Sequence, residues 1–101
     1  MPLFKLKSEH KDLWIAWADL LDKELRATAL ETLVEENLTK EVSELVEANG
    51  ELYVHGWFVG TPKPSTDRSI NVIHRHLKNL CLERVEGKIL YDLEIPRKSE
   101  D

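Results

Sequence analysis

Residues 41 to 60 read EVSELVEANGELYVHGWFVG, and the fold turns on how they are divided. Taken alone, EVSELVE serves equally in a helix or a strand. The Asn49-Gly50 pair settles it, because a two-residue type I′ turn needs both central residues at positive φ, and Asn-Gly adopts that most readily. A hairpin needs a strand on each side, so residues 40 to 48 read as the second strand of the chain and 51 to 60 as the third. The third strand, LYVHGWFVG at 52 to 60, is apolar with a histidine and a glycine in its middle.

Outward toward the N-terminus, Leu3 to Lys7 alternates apolar and charged residues, the period of a half-buried strand. Ser8 then stands as an N-cap, with Glu9 and Asp12 where negative charge suits a helix N-terminus. Leu13, Trp14, Trp17, Leu20, Leu21 and Leu25 recur at three- and four-residue spacing, and the pattern continues through Leu30, Leu33 and Val34 to Leu38. A run of roughly thirty residues is long for a globular helix. The stripe changes direction near Arg26 to Ala29, which predicts two helical pieces with a bend there. Outward toward the C-terminus, TPKPSTDR at 61 to 68 is a loop by its prolines and capping residues. A helix follows, carrying Ile70, Ile73, His74, Leu77, Leu80 and Cys81, with a stop expected near Glu86-Gly87. KILYDLEI at 88 to 95 alternates strictly and reads as the fourth strand; the tail at 97 to 101 reads as frayed.

The resulting order, β-α-β-β-α-β, is that of a ferredoxin-like α+β domain: a four-stranded antiparallel sheet with its helices on one face. Alternation places Phe4, Leu6, Leu52, Val54, Phe58 and the Ile89 to Ile95 set against the helices, with Gly56 on the same side to admit a helix closely. The other face then carries Lys5, Lys7, Tyr53, His55, Trp57, Val59, Leu90, Asp92 and Glu94. That mixture suits either a wet sheet face under amphipathic aromatic cover or a face closed by a second copy around a partly polar cavity.

The runs FKLKSEHKDLWIAWADLL, NGELYVHGWFVG and DRSINVIHRHLKNLC, spread between residues 4 and 81, resemble a family of small uncharacterised bacterial proteins of the dimeric α+β barrel type, and the resemblance extends over nearly the whole chain. In that group two ferredoxin-like sheets close around a central space, and its members include cofactor-independent monooxygenases, mutarotases, lactone isomerases and stress-response proteins. The resemblance implies a homodimer with a pocket on the sheet face. It transfers no catalytic residue, and fold alone does not choose among those activities.

The residues themselves narrow the chemistry. A net charge of -5 with 14 scattered basic residues leaves no footprint for nucleic acid. One cysteine, Cys81, fits a reducing compartment, and set among Leu77, Leu80 and Leu82 it reads as inert packing. The absence of a signal-like or membrane-spanning run points to the cytoplasm. His74 and His76 are about 200° apart round a helix and cannot share an ion, and no HExxH or CxxC spacing occurs, so neither metal nor cofactor is expected. No nucleophile elbow or Gly-rich phosphate loop is present.

What remains is acid-base or binding chemistry. His55 and His76 are the candidate catalytic residues, and Tyr53, His55 and Trp57 the candidate ligand contacts. Lys5 or Lys7, from the neighbouring first strand, is the expected neighbour of His55. Three functions stay open: a binder of a small organic ligand, a cofactor-independent enzyme with His55 or His76 handling protons, and a protein-interaction module.

Overall fold

A computed structural model describes residues 3–96 of the chain. Four antiparallel strands form one sheet in the order β2-β3-β1-β4, with β1 at Leu3–Leu6, β2 at Leu38–Ala48, β3 at Glu51–Gly60 and β4 at Leu82–Arg84. Three α-helices connect them: α1 at Lys11–Asp22, α2 at Arg26–Glu35 and α3 at Ser69–Cys81. The fold is α+β, as the sequence reading expects.

The hairpin forms as its turn dictates. Asn49 has φ 52° and Gly50 φ 77°, and from that turn β2 and β3 pair without interruption to Lys40↔Val59. Thr39 is the extra residue of a bulge before Leu38↔Gly60.

Ser8 does not cap a helix. The Lys7 N–H bonds the Cys81 carbonyl at 2.9 Å and keeps the chain along the sheet, so Ser8–His10 makes a single 3₁₀ turn and α1 starts only at Lys11. The expected bend falls slightly earlier than its sequence position, at residues 23 to 25. There Lys23 leaves helical geometry at φ -119°, ψ -86°, and the Leu25 N–H reaches back to the Leu20 carbonyl. Leu20, Leu21 and Leu25 all stay against the core across that break.

The core lies on one sheet face. Leu6, Val54 and Leu82 from three strands meet Trp14 and Trp17 of α1 and Cys81 of α3, with Phe4, Leu52, Ile70 and Leu77 packed around them. On α3 the inward positions are Ile70, His74, Leu77 and Cys81, while Ile73 and Leu80 stand largely outside.

The C-terminal part departs from the sequence reading. α3 ends at Cys81, five residues short of the expected stop, and the chain turns at once into β4. Leu82 pairs with Leu6, Glu83 with Lys5 and Arg84 with Phe4, and the Val85 N–H takes the Leu3 carbonyl at 2.9 Å. Leu82 is buried in the core, so its burial fixes the strand there. Along the described residues of β1, from Leu6 to Leu3, this side is taken by residues 82 to 85. Residues 88 to 95, expected as the fourth strand, therefore do not take that place in the sheet of their own chain. The Ile89 to Ile95 set does not meet the helices, and Leu90, Asp92 and Glu94 do not join the open face.

Two smaller expectations also change. Phe58 is half exposed, three residues beyond the last described pair of β3 with β1, at His55. At Gly56 a side chain would meet only the Val42 carbonyl of the adjacent strand at 3.5 Å, so no helix approaches there. The tail at 97 to 101 lies outside the described residues.

Candidate functional site

The face of β3 opposite buried Val54 presents Tyr53, His55 and Trp57, all half-buried. Side chains directly opposite on neighbouring strands share a face. The register sets Tyr53 between Val46 and Lys5, His55 between Glu44 and Leu3, and Trp57 beside Val42. The three candidate ligand contacts thus share one patch. The His55 and Trp57 rings lie 5.4 Å apart, inclined by 43°.

Lys5 stands opposite Tyr53 and not His55, and its ammonium pairs with Glu51 at 3.2 Å. The Glu51 carboxylate holds the Lys5 pKa above its ordinary value. The carboxylate neighbour that the sequence reading did not find is Glu44, directly across from His55. A signal for it was present: a two-residue turn at 49 and 50 fixes the pairing, and counting back from it brings 44 opposite 55. Beside this patch a polar depression of about 380 Å³ is lined by Lys5, Lys7, Ser8, Glu9, Glu51 and Glu83.

His76, the other candidate, is exposed on α3. Its neighbour two residues earlier is the engaged histidine. Trp17 Nε1 donates to His74 Nδ1 at 3.0 Å, and the Trp14 ring lies 5.8 Å from the imidazole. A ring nitrogen that accepts a hydrogen bond carries no proton, so the His74 proton sits on Nε2. Burial, aided by nearby Lys78, lowers the His74 pKa.

Above pH 6.5 the imidazole is neutral both folded and unfolded; below it the unfolded chain takes up a proton that the folded one resists. Stability should therefore fall as the pH drops from 6.5 toward the lowered folded value, with a slope of at most ~1.4 kcal/mol per pH unit from this residue. Urea unfolding at several pH values, compared between wild type and His74→Gln, checks it; identical pH profiles of the two proteins would remove His74 as the cause.

Cys81 is wholly buried and burial pushes its thiol pKa up, the condition of an unreactive thiol. Among the described residues no group of three or more His, Cys, Asp or Glu is placed to hold a metal ion, and no helix is long and apolar enough to cross a membrane. No protein family, characterised protein or solved structure matches this chain.

On the opposite side of the sheet an apolar groove of about 160 Å³ opens between α1 and β2, lined by Trp14, Ile15, Ala18, Ser43, Leu45 and Val54. It is open because, among the described residues, no strand lies beyond β2 to complete the helix-covered layer.

Proposed function

We propose that the protein binds a small, planar organic ligand on the open sheet face, with Tyr53, His55 and Trp57 as its contacts, in a ferredoxin-like domain that works as a homodimer. The observation that carries this reading is the contact of His55 and Trp57 at 5.4 Å on a face no helix covers, with Tyr53 on the same strand face. Aromatic rings on an uncovered sheet offer a stacking surface, and the polar tips beside them supply orientation. The second copy of the homodimer would help to exclude water from the ligand, as in the dimeric α+β barrels that the sequence resembles.

One observation favours an enzymatic form of the same reading. A carboxylate opposite a histidine can fix its tautomer and stabilise the cation when the imidazole takes a proton, and Glu44 holds that position for His55. His55 would then be the base of a cofactor-independent proton transfer.

The test uses 8-anilinonaphthalene-1-sulfonate as a planar aromatic probe, titrated by fluorescence. Trp57→Ala and His55→Ala should each weaken probe binding about tenfold. Unchanged affinity in both variants would overturn the assignment of this face.

A further inference from the structure

We propose that residues 88–95 form a strand only in the dimer, docking along the outer edge of β2 in a second copy while that copy's own segment docks in return. This interface uses the edge of β2 and not Tyr53, His55 or Trp57, although Glu44 belongs to both readings.

The segment has a strand's sequence without a strand's partner. KILYDLEI alternates strictly, yet no strand includes it, and Ile89, Leu90, Tyr91, Leu93 and Ile95 are 77–90% exposed. The Cα radius of gyration, 16.8 Å, exceeds the ~13 Å of a compact chain of this length, as a projecting arm requires. So much contiguous apolar surface on one segment marks an interaction site.

The receiving surface is equally specific. β2 is a sheet edge of 11 residues, and its outward N–H and C=O groups have no strand to bond. Above that edge lies the apolar groove between α1 and β2, flanked by exposed Ile15 and Leu45. A further strand beyond β2 that placed apolar side chains on the helix-covered side would close it.

The chain cannot supply that strand to itself. The arm leaves from β4, at the opposite edge from β2, and the outer side of β2 lies four strand spacings away, roughly 19 Å. Val85 is still bonded to Leu3, and the four residues from there to Ile89 reach at most ~14 Å. A second copy has no such restriction.

Charge selects a register. Among antiparallel pairings that put Ile89, Tyr91, Leu93 and Ile95 on the helix-covered side, one sets Lys88 opposite Glu44 and Asp92 opposite Lys40, with Leu90 against Val42 between them. Opposite charges face each other at both positions, and Ile89 comes beside Ser43 at the mouth of the groove. The charged residues of β2, which would repel an arbitrary strand, then admit this one. Reciprocal docking closes a two-fold pair with no arm left over. It engages about twenty residues of each copy, the size of a stable specific interface.

The test is a double variant, Glu44→Cys with Lys88→Cys, oxidised with oxidised glutathione, run without reductant and mapped by peptide mass. The expected result is a covalent dimer joined by Cys-containing peptides from positions 44 and 88 of different chains. A link within one chain, or free thiols after oxidation, would overturn the proposal. Independently, light scattering should give the full chain twice its 11.7 kDa mass and give a chain ending at Gly87 the monomer mass. A monomeric full chain, or a dimer that survives the truncation, would equally overturn it. Trp57→Ala should leave the cross-link intact, so loss of probe binding and loss of the cross-link report the two proposals separately.

Discussion

Trp17→Ala is expected to lose about 3–5 kcal/mol of folding stability, the range for truncating a large buried aromatic side chain. Trp17 is 6% exposed and packs among Leu6, Trp14, Val54 and Cys81, so its removal leaves a cavity bounded by both helices and sheet. A domain of this size holds roughly 5–15 kcal/mol in total, and the variant should be close to the edge of folding. Trp17→Phe separates two causes. It keeps most of the apolar volume but leaves the His74 Nδ1 acceptor without the indole N–H, at a cost of about 1–3 kcal/mol. Adding His74→Leu to Trp17→Phe should return part of that loss, because no unpaired ring nitrogen then remains. Urea denaturation followed by circular dichroism measures wild type, Trp17→Ala, Trp17→Phe, His74→Leu alone and the double variant. Additive losses in the double variant would mean that the Trp17-His74 bond contributes nothing beyond packing.

Gly60→Ala should be the most damaging single methyl addition in the chain, costing at least about 3 kcal/mol where backbone strain alone accounts for about 1–3. Gly60 has φ +126°, which L side chains rarely adopt, and a Cβ there would stand 2.5 Å from the Asn37 carbonyl oxygen and 3.1 Å from Leu38 Cα. Both obstacles are backbone, so neither can swing aside. They belong to the crossing where Asn37, itself at φ 60°, leads α2 into β2 beside the end of β3. Two other glycines calibrate the effect. Gly50 also has positive φ, but open space surrounds it, so Gly50→Ala should lose about 1–2 kcal/mol. Gly56→Ala meets only an ordinary contact and should change stability least. Thermal unfolding of the three variants gives the ranking, and a Gly60→Ala loss no larger than that of Gly50→Ala would show that the crossing relaxes.

The candidate patch was largely legible from residues 41 to 60, because the turn fixes both strands and their alternation. Tyr53, His55 and Trp57 follow from a period of two and the burial of Val54. Even Glu44 was within reach, since pairing in a hairpin is set locally by turn length. The neighbour on the other side was not legible. Whether Leu3 or a lysine faces His55 depends on how β1 slides along β3, and that register is held by distant core contacts of Leu6 with Leu82 and Trp14. The two histidines of α3 show the same division. Their opposite directions follow from helix geometry, but only packing decides that His74 meets Trp17 while His76 faces out.

The sequence by itself determined the hairpin, the division of the long helical run into two pieces, the start of α3, and the apolar stripe carrying Trp14 and Trp17, because each rests on interactions between residues close in the chain. The tertiary structure decided where β4 lies. KILYDLEI has the better strand pattern, yet burying Leu82 beside Leu6 gives the place next to β1 to residues 82–84 first. Alternation reports that a segment can be a strand; which strand it joins depends on how much edge lies within reach, and the free edge nearest residues 88–95, that of β4, is only three residues long.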